Sequence, residues 1–193
     1  MHVRTKLALA TTVAAAWLAT GWVSAQTQGV REDFTAVAIV NNNIGSGAGT
    51  VQIQVTRWSS DAERNTLVTT LREKGPMQLL DALQDMRPVG IIKTPDSLGY
   101  DLRYAHQVKG EDGGRRIVIA TDRPIGFWEA RNQPRTIDYP FTVIQMQLDA
   151  SGQGKGTMSY ATKILAHDNV IELENFGTSP VMLTQIQASP HRD

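Results

Sequence analysis

The densest group of chemically competent side chains lies between residues 122 and 140, where charged and aromatic residues are interspersed with three prolines. Arginines beside aromatic rings can clamp a carboxylate or stack on a planar ligand, and loops on rigid scaffolds often carry function. The other interpretation is that the acids of this stretch pair with its arginines while its tryptophan packs in the core. The side chains concerned are Asp122, Arg123, Trp128, Glu129, Arg131, Arg135, Asp138 and Tyr139.

A second candidate group lies on one predicted strand, which carries Tyr100, Tyr104 and His106 at even spacing. Even spacing places side chains on the same face of a strand, so we expect these three residues to share a face with Leu102. If that face lines a cavity, the phenols and the imidazole could bind a polar ligand atom or transfer a proton. The alternative is that His106 is a core histidine satisfied by a hydrogen bond.

Two further patterns have simpler explanations. Glu172 and Glu174 share a strand face roughly 7 Å apart, which would allow acid–base chemistry but is more typical of a solvated strand. The glycine-rich stretch 45–49 resembles a phosphate loop, yet a strand is predicted after it where such a loop needs a helix. A flexible hairpin loop is therefore predicted there. No His-x-x-x-His spacing occurs, so the sequence predicts neither a metal nor a cofactor.

The composition excludes several classes of protein. The chain has 193 residues, with 19 Lys and Arg against 19 Asp and Glu, so it lacks the basic excess typical of nucleic-acid binding. Its 41% apolar content is too high for a disordered chain. The absence of cysteine excludes disulfide scaffolds, iron–sulfur clusters and thiol nucleophiles.

The first 25 residues have the pattern of an export signal. Basic residues precede an apolar stretch of 17 residues, Leu7 to Val23, and Val23-Ser24-Ala25 fits a cleavage site. We expect cleavage to leave one β-rich globular domain, residues 26–193, in the bacterial periplasm or the medium. No stable membrane span is expected after cleavage, because the apolar stretch is marginal for spanning and is removed.

The elements that would position these groups are mostly strands, since period-2 alternation dominates the mature chain. A switch to helical spacing follows the second strand. There, Ser60 and Glu63 form a capping-box pattern, and Gly75-Pro76 separates two amphipathic helices. The sequence predicts an α+β, mostly β fold. Its core is an antiparallel curled sheet or barrel of about nine strands, with a two-helix insertion after the second strand.

Three detailed expectations follow from the same patterns. Residues 41–49 should form a hairpin loop, because they are rich in Asn and Gly. Residues 98–109 should form one alternating strand, and residues 149–156 a glycine-rich turn before the next strand.

Three segments of the chain resemble uncharacterised secreted bacterial proteins that have no assigned activity. These segments are Thr121–Ile125, Asp138–Phe141 and Ile171–Asn175. The resemblance covers most of the mature chain and implies an exported, single-domain protein. It brings no activity and no catalytic residue with it.

The leading functional hypothesis is an exported, non-enzymatic domain that binds a small, partly apolar molecule, because a curled sheet with a helix pair readily encloses a cavity. Two alternatives stay open. One is a periplasmic enzyme that uses His106 or a carboxylate with an arginine as an anion clamp. The other is an envelope module that binds proteins. The expected ligand-binding residues are Tyr100, Tyr104 and His106 in the lining, with Arg123, Trp128 and Arg131 at the mouth.

Overall fold

The structure, a computed structural model, describes residues 31–42, 45–94, 97–125, 138–167, 170–175 and 179–190. The predicted signal peptide lies outside these ranges. Within them the α-helices are α1 (Asp61–Lys74) and α2 (Pro76–Asp85), and a short 3-10 helix spans Glu111–Gly113. The strands are β1 (Glu32–Asn42), β2 (Gly45–Val55), β3 (Gly90–Lys93), β4 (Tyr100–Leu102), β5 (Tyr104–Lys109), β6 (Arg115–Ala120), β7 (Phe141–Leu148), β8 (Gln153–His167), β9 (Val170–Asn175) and β10 (Val181–Pro190).

Nine of these strands form one antiparallel sheet in the order β4-β3-β2-β1-β10-β8-β7-β6-β5, and β9 pairs with β8 beside this path. The sheet curls into a nearly closed barrel, and both helices follow β2. The predicted fold class is therefore confirmed: a mostly β protein with an antiparallel curled sheet of about nine strands and a two-helix insertion.

The barrel closes through Arg103, the single residue between the strands at opposite ends of the sheet order. β4 pairs with β3 and β5 pairs with β6, and the Arg103 amide donates to the Ala120 carbonyl over 3.0 Å. Along the outer edge of β5, the Ser59 amide donates to the Ala105 carbonyl over 2.7 Å. No described strand pairs with the rest of that edge. The gap between β4 and β5, which is the seam of the barrel, is therefore bridged only locally.

The barrel interior is a packed core built from every strand except β9. Alternate residues of each strand point inward, as the period of two predicts, and each large side chain buried in this way contributes roughly 1.5–3 kcal/mol. The largest of the fully buried side chains here are Phe34, Ile53, Ile92, Leu102, Ile117, Ile119, Ile125, Ile144, Met146 and Met158.

The helices pack on the outer face of the sheet, where they form a second apolar cluster with β7 and β8. Gly75 joins the two helices with a φ of 91°, a left-handed conformation that favours glycine. The helix leucines in this cluster are Leu67, Leu71, Leu79, Leu80 and Leu83, and they face Phe141, Val143 and Ile164.

Two glycine-rich stretches differ from the predictions. β1 and β2 extend through most of residues 41–49, and β8 begins at Gln153, within the predicted turn. A Cβ atom at Gly154 or Gly156 would overlap a backbone oxygen of β7, that of Gln147 or Gln145 respectively. The glycines are therefore strand residues that allow close approach of a neighbouring strand, and local propensity alone does not reveal this role.

The first turn of α1 contains the predicted capping box. The Ser60 hydroxyl accepts from the Glu63 amide over 3.2 Å, and Glu63 Oε2 accepts from the Ser60 amide over 2.7 Å. Arg57 donates to Glu63 Oε1 over 3.0 Å. Partial burial raises the pKa of Glu63, but the Ser60 amide and Arg57 outweigh it and hold the pKa below its ordinary value of 4.5.

Replacing Glu63 by glutamine is expected to lower the free energy of unfolding at neutral pH by about 1 kcal/mol or less, because glutamine keeps the cap but loses the Arg57 ion pair. The carboxyl pKa is lower in the folded chain than in the unfolded chain. Its contribution is therefore present above the unfolded value and lost as pH falls through the folded value.

Urea unfolding of Glu63→Gln and the parent protein should thus give curves that differ at neutral pH and converge in acid. Glu73→Gln, at the exposed end of the same helix, is the matched control and should show no such convergence. A Glu63→Gln deficit of constant size across this pH range would contradict the prediction.

Candidate functional site

The expected face of Tyr100, Tyr104 and His106 is divided by the corner at Arg103. Tyr100 packs against the interior core with Leu102, whereas Tyr104 packs in the outer cluster beneath the helices. The reason is that β4 and β5 belong to opposite ends of the curled sheet. The turn between them breaks the alternation that one continuous strand would have kept. The prediction of one shared face is therefore wrong, because the strand itself is not continuous.

His106 is a buried histidine with a hydrogen-bond partner. Its Nε2 atom lies 3.1 Å from Asp61 Oδ1 at the start of α1, and its ring stacks on Tyr104 with a centroid distance of 6.1 Å. Burial raises the pKa of Tyr104 to about 12, so this phenol stays protonated at physiological pH. The arrangement matches the interpretation of His106 as a satisfied core residue that fixes α1 to β5.

Arg123 lies at the surface, at the start of the polar stretch singled out in the sequence. Its Nε atom donates to Asp122 Oδ1 over 3.2 Å, and the Asp122 side chain is only 3% exposed. Asp122 also lies 3.3 Å from Arg103 Nε. Asp122 thus pairs with Arg123, as expected if the acids of this stretch pair with its arginines, and it also pairs with Arg103. Trp128 and Arg131 lie outside the described residues.

The two glutamates of β9 are exposed, as expected for a solvated strand face. Glu174 accepts a hydrogen bond from the Tyr139 hydroxyl over 2.9 Å and lies 3.8 Å from Lys163 Nζ. These contacts are those of a surface ion pair, and they show no acid–base pairing between Glu172 and Glu174.

The structure reveals an open pocket of about 380 Å³ that no sequence pattern predicted. It lies at the end of the barrel where β1 and β6 begin, β10 ends and the β7–β8 turn crosses. This is also where the seam along β5 is incompletely bridged. The residues that define it are Glu32, Trp58, Gln107, Arg115, Asp149 and those at 188–190.

The lining of this pocket includes an ion pair between Arg115 and Glu32. The Arg115 guanidinium binds both carboxylate oxygens of Glu32, and its Nη1 also donates to Gln107 Oε1 over 3.0 Å. The guanidinium lies 5.8 Å from the centroid of the Phe34 ring, which therefore forms an apolar floor beneath it. Ring contact and hydrogen bonds together hold the arginine in one orientation.

Asp149 supplies a second carboxylate to the pocket rim. Its Oδ1 atom accepts hydrogen bonds from the Ser151 amide over 2.8 Å, the Ser151 hydroxyl over 2.6 Å and the Gln153 amide over 3.0 Å. These hydrogen bonds, led by that of the Ser151 side chain, hold the pKa of Asp149 below its ordinary value of 3.8. The carboxylate is therefore ionised at physiological pH.

No pattern in the sequence indicated the pocket itself, but one indicated that Arg115 needs a partner. Arg115 is in register with Ile117 and Ile119 on an apolar strand, so it had to face inward and needed a partner there. The sequence did not show which residue is that partner, because Glu32 lies 83 residues away from Arg115 in the chain.

Among the described residues, no group of three or more His, Asp or Glu side chains is placed to hold a metal ion. Within the same part of the chain, no helix is long and apolar enough to cross a membrane. No protein-family profile, curated protein sequence or solved structure gave a significant match to the chain.

Proposed function

We propose that this protein is exported to the bacterial periplasm or the medium and binds a small, partly apolar molecule without transforming it. The export signal of residues 1–25 and the resemblance to secreted bacterial proteins support the location. The pocket at the end of the barrel supports the binding role.

The observation that carries the binding role is the construction of this pocket. Its volume of about 380 Å³ falls in the range of small-molecule sites. Its lining combines Trp58, Ala188 and Pro190 with a fixed ion pair. Side chains already held by one another lose little freedom when a ligand enters, which favours affinity.

The residues first expected to line a cavity contribute less to this proposal. The interior behind Tyr100 is filled by apolar side chains, and Tyr104 and His106 are covered by α1. The proposed binding site is therefore the open end of the barrel.

The two alternatives have weaker support. An enzyme would use His106, or a carboxylate with an arginine, and would need free access to the reactive group. His106 is only 7% exposed and contacts Asp61, and in the pocket the Glu32 carboxylate and the Arg115 guanidinium are engaged with each other. An envelope interaction module is favoured by one observation: Ile39 and Met182 lie opposite each other on β1 and β10, and both are exposed. This apolar pair is small, and such pairs are common on protein surfaces.

Native mass spectrometry of the protein purified from an exporting host tests the proposal. We expect a discrete additional mass that denaturation releases. Ser189→Trp, which places a large ring at the pocket rim, should abolish it. Gln187→Trp, also exposed on β10 but outside the pocket lining, should retain it. A protein that carries no additional mass, or a mass that both variants retain, would count against this site.

A further inference from the structure

We propose that the pocket is selective for an organic cation with an apolar arm, such as an aralkyl amine, over the corresponding acid. This inference rests on the proposed function, because it specifies the ligand class of the same pocket. Its basis is the charge of the lining and the way in which each charged group is already engaged.

The arginine of the pocket is a poor receptor for an anion. Two of its N–H groups bind Glu32 and a third binds Gln107. Three of its five N–H groups are thus engaged among the described residues, and an incoming carboxylate that took the edge facing Glu32 would have to displace it from a bidentate ion pair, the strongest kind of arginine contact. The displaced glutamate would then be left without its partner in a half-buried position, since its side chain is only 16% exposed.

The pocket lining has more negative charge than positive charge, and it has a carboxylate that can accept from a cation. The lining contains two carboxylates, Glu32 and Asp149, against the single guanidinium of Arg115, so its formal charge is −1. The three hydrogen bonds that the Asp149 side chain accepts from Ser151 and Gln153 use Oδ1. Oδ2 can therefore accept from an ammonium group, and the negative potential of the lining attracts a positive charge.

The apolar side chains of the lining indicate that the ligand also carries an apolar arm. Ala150, Ala188 and Pro190 present aliphatic surface, and the lining also includes Trp58, an aromatic residue that is 6% exposed. An apolar arm against these side chains would be removed from water, which contributes roughly 25 cal/mol per Å² of buried apolar area. A cation near the indole would gain further from the ring quadrupole.

The test compares three probes that share a ring and differ in charge: benzylamine, benzyl alcohol and benzoate. Each is titrated into isotope-labelled protein while the Trp58 indole N–H and the Ala150 and Ala188 methyl signals are followed by NMR. We expect benzylamine to bind most tightly and benzoate least. Each step should be about threefold to fivefold at low salt, the range typical of exposed charge interactions, and the steps should shrink at high salt.

Asp149→Asn is the informative variant, because asparagine keeps the Oδ1 acceptor of the turn and removes the charge. It should weaken benzylamine binding about threefold to fivefold and leave benzyl alcohol unchanged. Asp112→Asn is the matched control: Asp112 lies in the neighbouring turn with a φ of 58°, which asparagine tolerates, and it is not in the pocket lining.

The outcomes separate the inference from the function on which it rests. Equal binding of the three probes, or tighter binding of benzoate, would overturn the selectivity for cations and leave the binding pocket in place. If none of the three probes shifts the pocket signals at millimolar concentration, the proposed binding function itself is overturned. An Asp149→Asn protein that binds benzylamine as the parent does would also overturn the selectivity.

Discussion

Replacing Asp122 by asparagine is expected to lower the free energy of unfolding by about 3 kcal/mol, the cost typical of breaking a buried ion pair by removing one partner. The Asp122 side chain is 3% exposed and that of Arg103 is 16% exposed, and Asp122 Oδ2 lies 3.3 Å from Arg103 Nε. Without the carboxylate, the guanidinium at the corner that closes the barrel loses its nearest negative charge. Urea unfolding measures the change, which appears as a lower midpoint at an unchanged m-value.

The same arginine provides the matched control for this prediction. Asp101 lies 3.9 Å from Arg103 Nη2, but its side chain is 49% exposed. Asp101→Asn should therefore change the free energy of unfolding by about 0.5 kcal/mol or less. If both asparagine variants lost equal stability, burial would not be what makes the Asp122 pair important.

A double substitution separates the charge effect from the loss of packing. Arg103→Met combined with Asp122→Leu removes both charges and fills the space with apolar side chains of similar volume. Such replacements often change the free energy of unfolding little. We expect the double variant to be more stable than Asp122→Asn alone. A double variant less stable than the single one would mean that other contacts of Arg103, such as its 3.0 Å hydrogen bond to the Met86 carbonyl, dominate.

Replacing Gly154 by alanine is expected to destabilise the protein by about 3 kcal/mol or more, because the new Cβ has no space. Gly154 pairs with Leu148 of β7 and Ile186 of β10. Its Cβ would overlap the Gln147 carbonyl oxygen and come within 2.8 Å of Leu148 Cδ2. Relief would require β7 and β8 to separate, which costs ladder hydrogen bonds in the middle of the sheet.

Thermal unfolding followed by circular dichroism tests the Gly154 prediction. For a domain of this size, about 3 kcal/mol corresponds to a fall in Tm of roughly 6–12 °C. Gly110→Ala is the control, since Gly110 lies in an exposed turn and the nearest atom to its added Cβ is 3.4 Å away. A Gly154→Ala protein as stable as the control would show that β8 can shift away from β7 at little cost.

Most of the secondary structure was predictable, because its signals act over a few residues. Ser60 and Glu63 form the capping box that the spacing predicted, and the second helix begins at Pro76, directly after Gly75. The inward set of β7, with Ile144 and Met146, follows directly from alternation. The glycine-rich strand segments were not predictable, because a glycine that forms a turn and one that admits a neighbouring strand look alike in the chain.

The candidate site was much less predictable than the fold. Tyr100 and Tyr104 are separated by the Arg103 corner, so the single face that alternation predicts is two faces in the structure. The Glu32–Arg115 pair was not expected, because it joins the first residues of two strands that are 83 positions apart.

The sequence by itself determined the strand and helix content, the antiparallel fold class and the position of the helix pair. Alternation, caps and turn residues depend on near neighbours, and so they can be read along the chain. Only the tertiary structure decided where the sheet closes, which side chains meet across the seam at β5 and where the pocket opens. Those features depend on how far the whole sheet coils, and coiling is set by contacts between residues far apart in the chain.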